Sequence, residues 1–147
     1  MKLRNISLLL LLALLPFCMQ AQKLSNPLSK EFFKLYEKAP NDALDFLFAS
    51  NKWMEVKKDA VDNLKLKLRQ ATSRMGAYIG YEQIGEVSIG SSVMIQAFIV
   101  KYERQPLRFT LKYYKPNDKW IILNFSYDED LDDDLEELMI QHYLDKD

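Results

Sequence analysis

Polar and apolar positions first repeat with a helical period and later with a strand period. Asn26-Pro27 is a helix start, with Asn as the cap and Pro at the first helical position. Leu28, Phe32, Leu35, Tyr36 and Ala39 then recur every three or four residues, and Pro40 ends that helix. Asn41 or Asp42 caps a second helix, in which Leu44, Leu47 and Phe48 share a face. A third and longer helix is predicted from about Asn51 to Met75. Its stripe is Trp53, Val56, Ala60, Leu64, Leu68, Ala71 and Met75, with Gly76 as its C-cap. Lys58, Lys65 and Arg69 fall on another face of that helix, as on an ordinary solvated surface.

After Gly76 the period falls to two. Leu107, Phe109, Leu111 and Tyr113 alternate with Arg108, Thr110, Lys112 and Tyr114, as in a half-buried strand. Pro116-Asn117-Asp118 is turn chemistry, and a strand from Trp120 to Tyr127 follows. Val93 to Tyr102 is apolar on both faces and reads as a central strand covered by helices. Tyr78 to Ile89 reads as a less regular strand, with Gly80, Gly85 and Gly90 at bulges or turns. Helices followed by hairpin-linked strands predict an α+β fold: N-terminal helices packed on a curved antiparallel sheet of about four strands, wrapped around the long helix.

Residues 1–21 lie ahead of this pattern and read as a secretory signal. Lys2 and Arg4 precede an apolar stretch of 14 residues, Ile6 to Met19, and Pro16 breaks it before Ala21. A bilayer needs roughly 20 such residues, so the stretch fits a cleaved leader better than a membrane span. Cleavage after about Ala21 would place the product in the periplasm or outside the cell, and the short, Leu-rich design ending in Gln-Ala-Gln resembles that of exported Gram-negative proteins. Pro16 and Phe17 are poor predecessors for a lipid-modified Cys18, which argues against a lipoprotein. Cys18 would leave with the leader, so the mature chain would have no thiol, as suits an oxidising compartment.

The 147 residues suffice for one domain over 22–127 with an acidic tail over 128–147. The net charge of −1 hides a division. Residues 22–127 hold 17 Lys and Arg against 11 Asp and Glu, whereas 128–147 hold ten acids and one Lys. Leu131, Leu135, Leu138 and Tyr143 recur near helical spacing in the tail, which is expected to form a helix docked along an apolar edge. Its acids lack the alternation of an EF-hand loop. So acidic a tail beside the basic body also makes nucleic acid a poor partner.

Element order, the helix ending at Gly76 and the block KYERQPLRFTLKYYKPNDKWIILNF resemble the cystatin-like α+β roll of the nuclear transport factor 2-like (NTF2-like) superfamily, in particular its small exported bacterial members. The resemblance covers about residues 27–127 and directs attention to the hollow between sheet and helices. It also implies possible dimerisation through the sheet face, while leaving the activity open. Enzymes of that superfamily commonly use an Asp–His pair, and the one histidine here, His142, lies in the tail.

Glu82, Glu86 and Glu103 are the strand carboxylates, and Tyr78, Tyr81, Tyr102, Tyr113 and Tyr114 the strand tyrosines. A Tyr/Glu acid–base pair in the hollow would make a small lyase or isomerase. The default for the tyrosines is packing, and for Trp53 and Trp120 it is an apolar anchor in the core. Arg104 and Arg108 suit bidentate capture of an anion, or they meet the acidic tail. Candidate ligand-binding residues are therefore Arg104, Arg108, Tyr81, Tyr102 and Glu82, with no catalytic set, metal site or cofactor assigned. The leading expectation is a non-catalytic module that binds a small apolar ligand or a protein partner. A lyase or isomerase and a structural envelope protein are the alternatives.

Overall fold

The computed structural model describes residues 25–144; the leader expected over 1–21 lies outside them. Helices α1 (Pro27–Tyr36) and α2 (Pro40–Ala49) come first, then a 3-10 turn, Lys52–Lys57, and α3 (Lys58–Thr72). Strands β1 (Tyr78–Ile89), β2 (Val93–Tyr102), β3 (Leu107–Tyr114) and β4 (Ile121–Asp128) follow, and α4 (Leu131–Leu144) closes the described chain. Each strand pairs antiparallel with the next in the order β1-β2-β3-β4, so β1 and β4 are open edges. The architecture is α+β, as the change of period predicts.

The helix starts follow local chemistry. The Asn26 side chain accepts a hydrogen bond from the Leu28 amide at 2.9 Å, and Pro27 takes the first helical position. Pro40 both ends α1 and opens α2, whose N-cap is Ala39 without a side-chain bond; neither Asn41 nor Asp42 caps it.

The expected 25-residue helix is not continuous. Asn51 caps the 3-10 turn by accepting from the Trp53 amide at 3.1 Å, and regular α-helix begins only at Lys58. Its C-cap is Ser73, not Gly76; Gly76, at φ +83°, instead carries the turn toward β1. Only the C-terminal end of the predicted stripe enters the core, through Leu68, Ala71 and Met75. Trp53 is 68% exposed and Val56 86% exposed, so Trp53 is a surface residue and not the core anchor expected.

The sheet is built around α1, not the third helix. Phe33 stacks on Tyr81 at 3.8 Å and meets Phe98 edge-on at 4.7 Å. Phe32 contacts Phe109 and Phe125, while Tyr36 meets Tyr78 and Phe109 edge-on. Large rings at helical spacing fill the inner sheet face, where Phe98, Val100, Leu107, Phe109, Leu111, Tyr113 and Ile122 are fully buried.

The other face is open. In β2, Gln96, Phe98, Val100 and Tyr102 are buried, whereas Ile95, Ala97 and Ile99 between them are only half-buried. β2 is therefore central but covered by helices on one side only. Register places Ile89, Val93, Tyr114 and Ile121 in one outer row and Val87, Ile95, Lys112 and Asn124 in the next. At the far end, Glu82, Ile99, Arg108 and Asp128 share a row.

Candidate functional site

A cleft opens where α3 fails to close against the sheet. Ser50 and Asn51, at the end of α2, hold the nearby backbone to β4. The Ser50 hydroxyl accepts from the Ile122 amide at 3.0 Å, and Asn51 Nδ2 donates to the Ile122 carbonyl at 2.7 Å. One residue later β4 carries a bulge. Ile122 pairs with Tyr113 and Asn124 with Lys112, leaving Leu123 as the extra residue. Leu123 and Phe125 form the β4 wall of a cavity of about 230 Å³, with Phe48, Met54, Val61 and Leu64 opposite. Lys57 is the charged residue of its lining, Asn124 borders it next to the bulge, and no carboxylate or histidine lines it.

A second hollow, of about 310 Å³, shares Phe48, Met54 and Val61 with the first. Asp45, Lys52, Glu55, Lys58 and Asp62 make its lining more polar. Met54 is half-buried on the 3-10 turn and contributes to both walls. A flexible thioether at that position can repack without backbone change.

A polar cluster lies where α1 begins. One carboxylate oxygen of Glu86 accepts from Ser25 Oγ at 2.5 Å, Gln96 Nε2 at 2.8 Å and Gln83 Nε2 at 3.1 Å. The Ser25 bond, followed by that of Gln96, lowers the Glu86 pKa below its ordinary value, and Glu86 stays ionised at neutral pH. Gln96 is fully buried, yet its Oε1 has no hydrogen-bond partner. Tyr113, also fully buried, approaches Ser29 without completing a hydrogen bond, and burial raises its pKa. Glu86 and Tyr113 are thus a Glu and a Tyr in one region, with proton affinities displaced in opposite directions from neutrality. General acid–base work needs the reverse, pKa values near the operating pH.

The five residues singled out from sequence are not brought into one cavity. Tyr81 and Glu82 are adjacent in β1 and therefore face opposite sides of the sheet. Tyr81 stacks on Phe33 inside, while Glu82 pairs with Lys101 outside at 2.7 Å. Tyr102 is buried against Tyr36, with their hydroxyls 2.7 Å apart, and burial raises both pKa values. Arg104 lies in the turn after β2 and reaches the Arg74 carbonyl at 3.5 Å.

Arg108 stands on the outer face. Its Nε donates to Asp128 at 3.1 Å and its guanidinium also pairs with Asp134 in α4; the Asp128 bond leads in raising its pKa. The tail forms a helix, but Leu135, Leu138 and Met139 are exposed, so the expected docked edge is not formed. Among the described residues, no group of three His, Cys, Asp or Glu side chains is placed to hold a metal ion, and no helix is long and apolar enough to cross a membrane.

Of the apolar cleft residues, sequence periodicity singles out Phe48 and Leu64, as helix-face residues of the core. Leu123 reaches the cleft through a β4 bulge, and Met54 through the break before α3; neither has a signature in hydrophobic periodicity. Compared with family models, curated proteins and solved structures, the chain matches none.

Proposed function

We propose that the chain is an exported, non-catalytic binding module whose cleft between α3 and β4 receives a small, largely apolar ligand. The observation that carries this reading is the cleft lining. Phe48, Met54, Val61, Leu64, Leu123 and Phe125 surround about 230 Å³ with no proton-transfer pair among them. Such a wall rewards apolar burial, and its few polar groups orient a ligand. Lys57 is the one cationic group of the lining, so a ligand with an apolar body and an anionic or hydrogen-bond-accepting end fits best. The NTF2-like resemblance, which directs attention to a hollow between sheet and helices, is a further ground for this reading. The basic, apolar pattern of residues 1–21 supports export to the periplasm or the medium.

The probe for this reading is anilinonaphthalene sulfonate, which combines fused apolar rings with an anionic group. Saturable, one-to-one fluorescence enhancement is expected, and Val61→Phe, which adds volume beside both hollows, should weaken it at least tenfold with the fold retained by circular dichroism. Absence of saturable binding, or binding that Val61→Phe leaves unchanged, would refute the assignment.

A further inference from the structure

Two unpartnered apolar surfaces face solvent at opposite ends of one short linker. The first is the outer sheet face, where Val87 is 62% exposed and Ile89 73% exposed, beside the half-buried Ile95 and Ile99. The second is one stripe of α4. Leu131, Leu135, Leu138 and Met139 lie within about 100° of arc at 3.6 residues per turn, with His142 in the same arc and Ile140 and Leu144 on the other side. Leu135 and Leu138 are about 60% exposed. Covering an apolar sheet face with the apolar stripe of a helix is a standard packing solution in α+β proteins, and here both surfaces belong to the same chain.

The charges match as well. Asp132, Asp133 and Asp134 occupy the first turn of α4, with Glu136 and Glu137 in the next. The outer face presents Arg108 and Lys112 in β3 and Lys101 in β2; Lys101 and Arg108 already pair with acids of that face, which leaves Lys112 and the second contact of Arg108 for the acids of α4. Glu82 and Asp128 also belong to that face, but they are engaged by Lys101 and Arg108 respectively. Contact has already begun at one end: Asp134, bordering the stripe, pairs with Arg108, and Glu129 accepts from Gln105 at 2.9 Å. The lengths agree too. Fourteen helical residues span about 21 Å, and the β3 outer face from Arg108 to Tyr114 spans about 20 Å.

We propose that α4 is a strap that closes intramolecularly onto the outer face of its own sheet, placing Leu135 and Leu138 over Ala97, Ile99 and Thr110. Only Glu129 and Asp130 separate β4 from α4, so the tethered helix has an effective concentration far above that of a second copy. Two α4 helices would bring their acids together, which disfavours a helix–helix dimer. Opening the strap exposes an apolar sheet face, and raised ionic strength weakens the attraction that holds it shut.

Closure can be tested by cross-linking Leu138→Cys to Thr110→Cys in the full chain with Cys18→Ser, under mild oxidation. The predicted register is set by Asp134 at Arg108: four residues along the helix advance about 6 Å, and two residues along β3 about 7 Å. The expected product is a disulfide within one chain, running as a monomer without reductant and forming at least several-fold more slowly in 1 M salt. A disulfide-linked dimer would assign the contact to a second copy and overturn the proposal, as would no disulfide at all. Maleimide labelling of Thr110→Cys alone provides a second measure in the same Cys18→Ser background. The thiol should react several-fold faster when Leu135 and Leu138 are both changed to Asp, and equal rates would refute closure.

Discussion

Removing either hydroxyl of the Tyr36–Tyr102 pair should destabilise the fold by unequal amounts, and removing both should cost less than the two losses combined. The hydroxyls lie 2.7 Å apart inside the packed interface between α1 and β2. Tyr102→Phe strands the Tyr36 hydroxyl, whose residue is only 1% exposed; Tyr36→Phe strands that of Tyr102, at 8%. An unsatisfied buried hydroxyl costs about 1–3 kcal/mol, whereas removing both partners of a bond with little change of shape is nearly neutral. Tyr102→Phe should therefore lie at about 2 kcal/mol and Tyr36→Phe nearer 1. With a nearly neutral double variant, a coupling energy of about 3 kcal/mol should separate it from additivity. Urea unfolding followed by circular dichroism measures all four corners of the cycle. Additive losses would refute the reasoning, because they would show that each hydroxyl is solvated independently. A large loss in the double variant would likewise refute it, because both rings are retained and the energy would have to lie in hydroxyl interactions other than their mutual bond.

Two further outcomes follow from the polar contacts. Asn51→Ala removes the bond to the Ile122 carbonyl together with the cap of the 3-10 turn; a loss of about 1–3 kcal/mol is expected in the same unfolding assay, and an unchanged midpoint would contradict the anchoring role. Glu86 has a folded pKa below its unfolded value, so its stabilising contribution is present above the unfolded pKa and fades as pH falls through the folded one. Thermal melts should show Glu86→Gln less stable than the unmodified chain at pH 7, with the difference shrinking between about pH 5 and pH 3; a difference that grows on acidification would reverse the assignment.

The two proposed binding surfaces differ in how far they can be read in advance. The inner face of β3 is legible because Leu107, Phe109, Leu111 and Tyr113 alternate without interruption, and all four are buried. The cleft wall is not, because Leu123 owes its place to one unpaired residue. A bulge breaks period two at a position where local composition remains ordinary for a strand. Arg108 is legible as an outward-facing cation, while its bond to Asp134 depends on the path of a helix that begins after β4.

Local chemistry in the chain determined the four strands, their antiparallel order and the Asn26-Pro27 start of α1, since turn residues and side-chain period act over a few positions. The tertiary structure decided which helix the sheet receives. The residues at 51–75 satisfy a helical period, but an apolar stripe stabilises a helix only where a surface meets it. Phe32, Phe33 and Tyr36 of α1 already occupy the inner sheet face. The N-terminal part of the longer stripe is therefore left outside, with Asn51 capping a 3-10 turn, and the incomplete closure leaves the cleft beside β4.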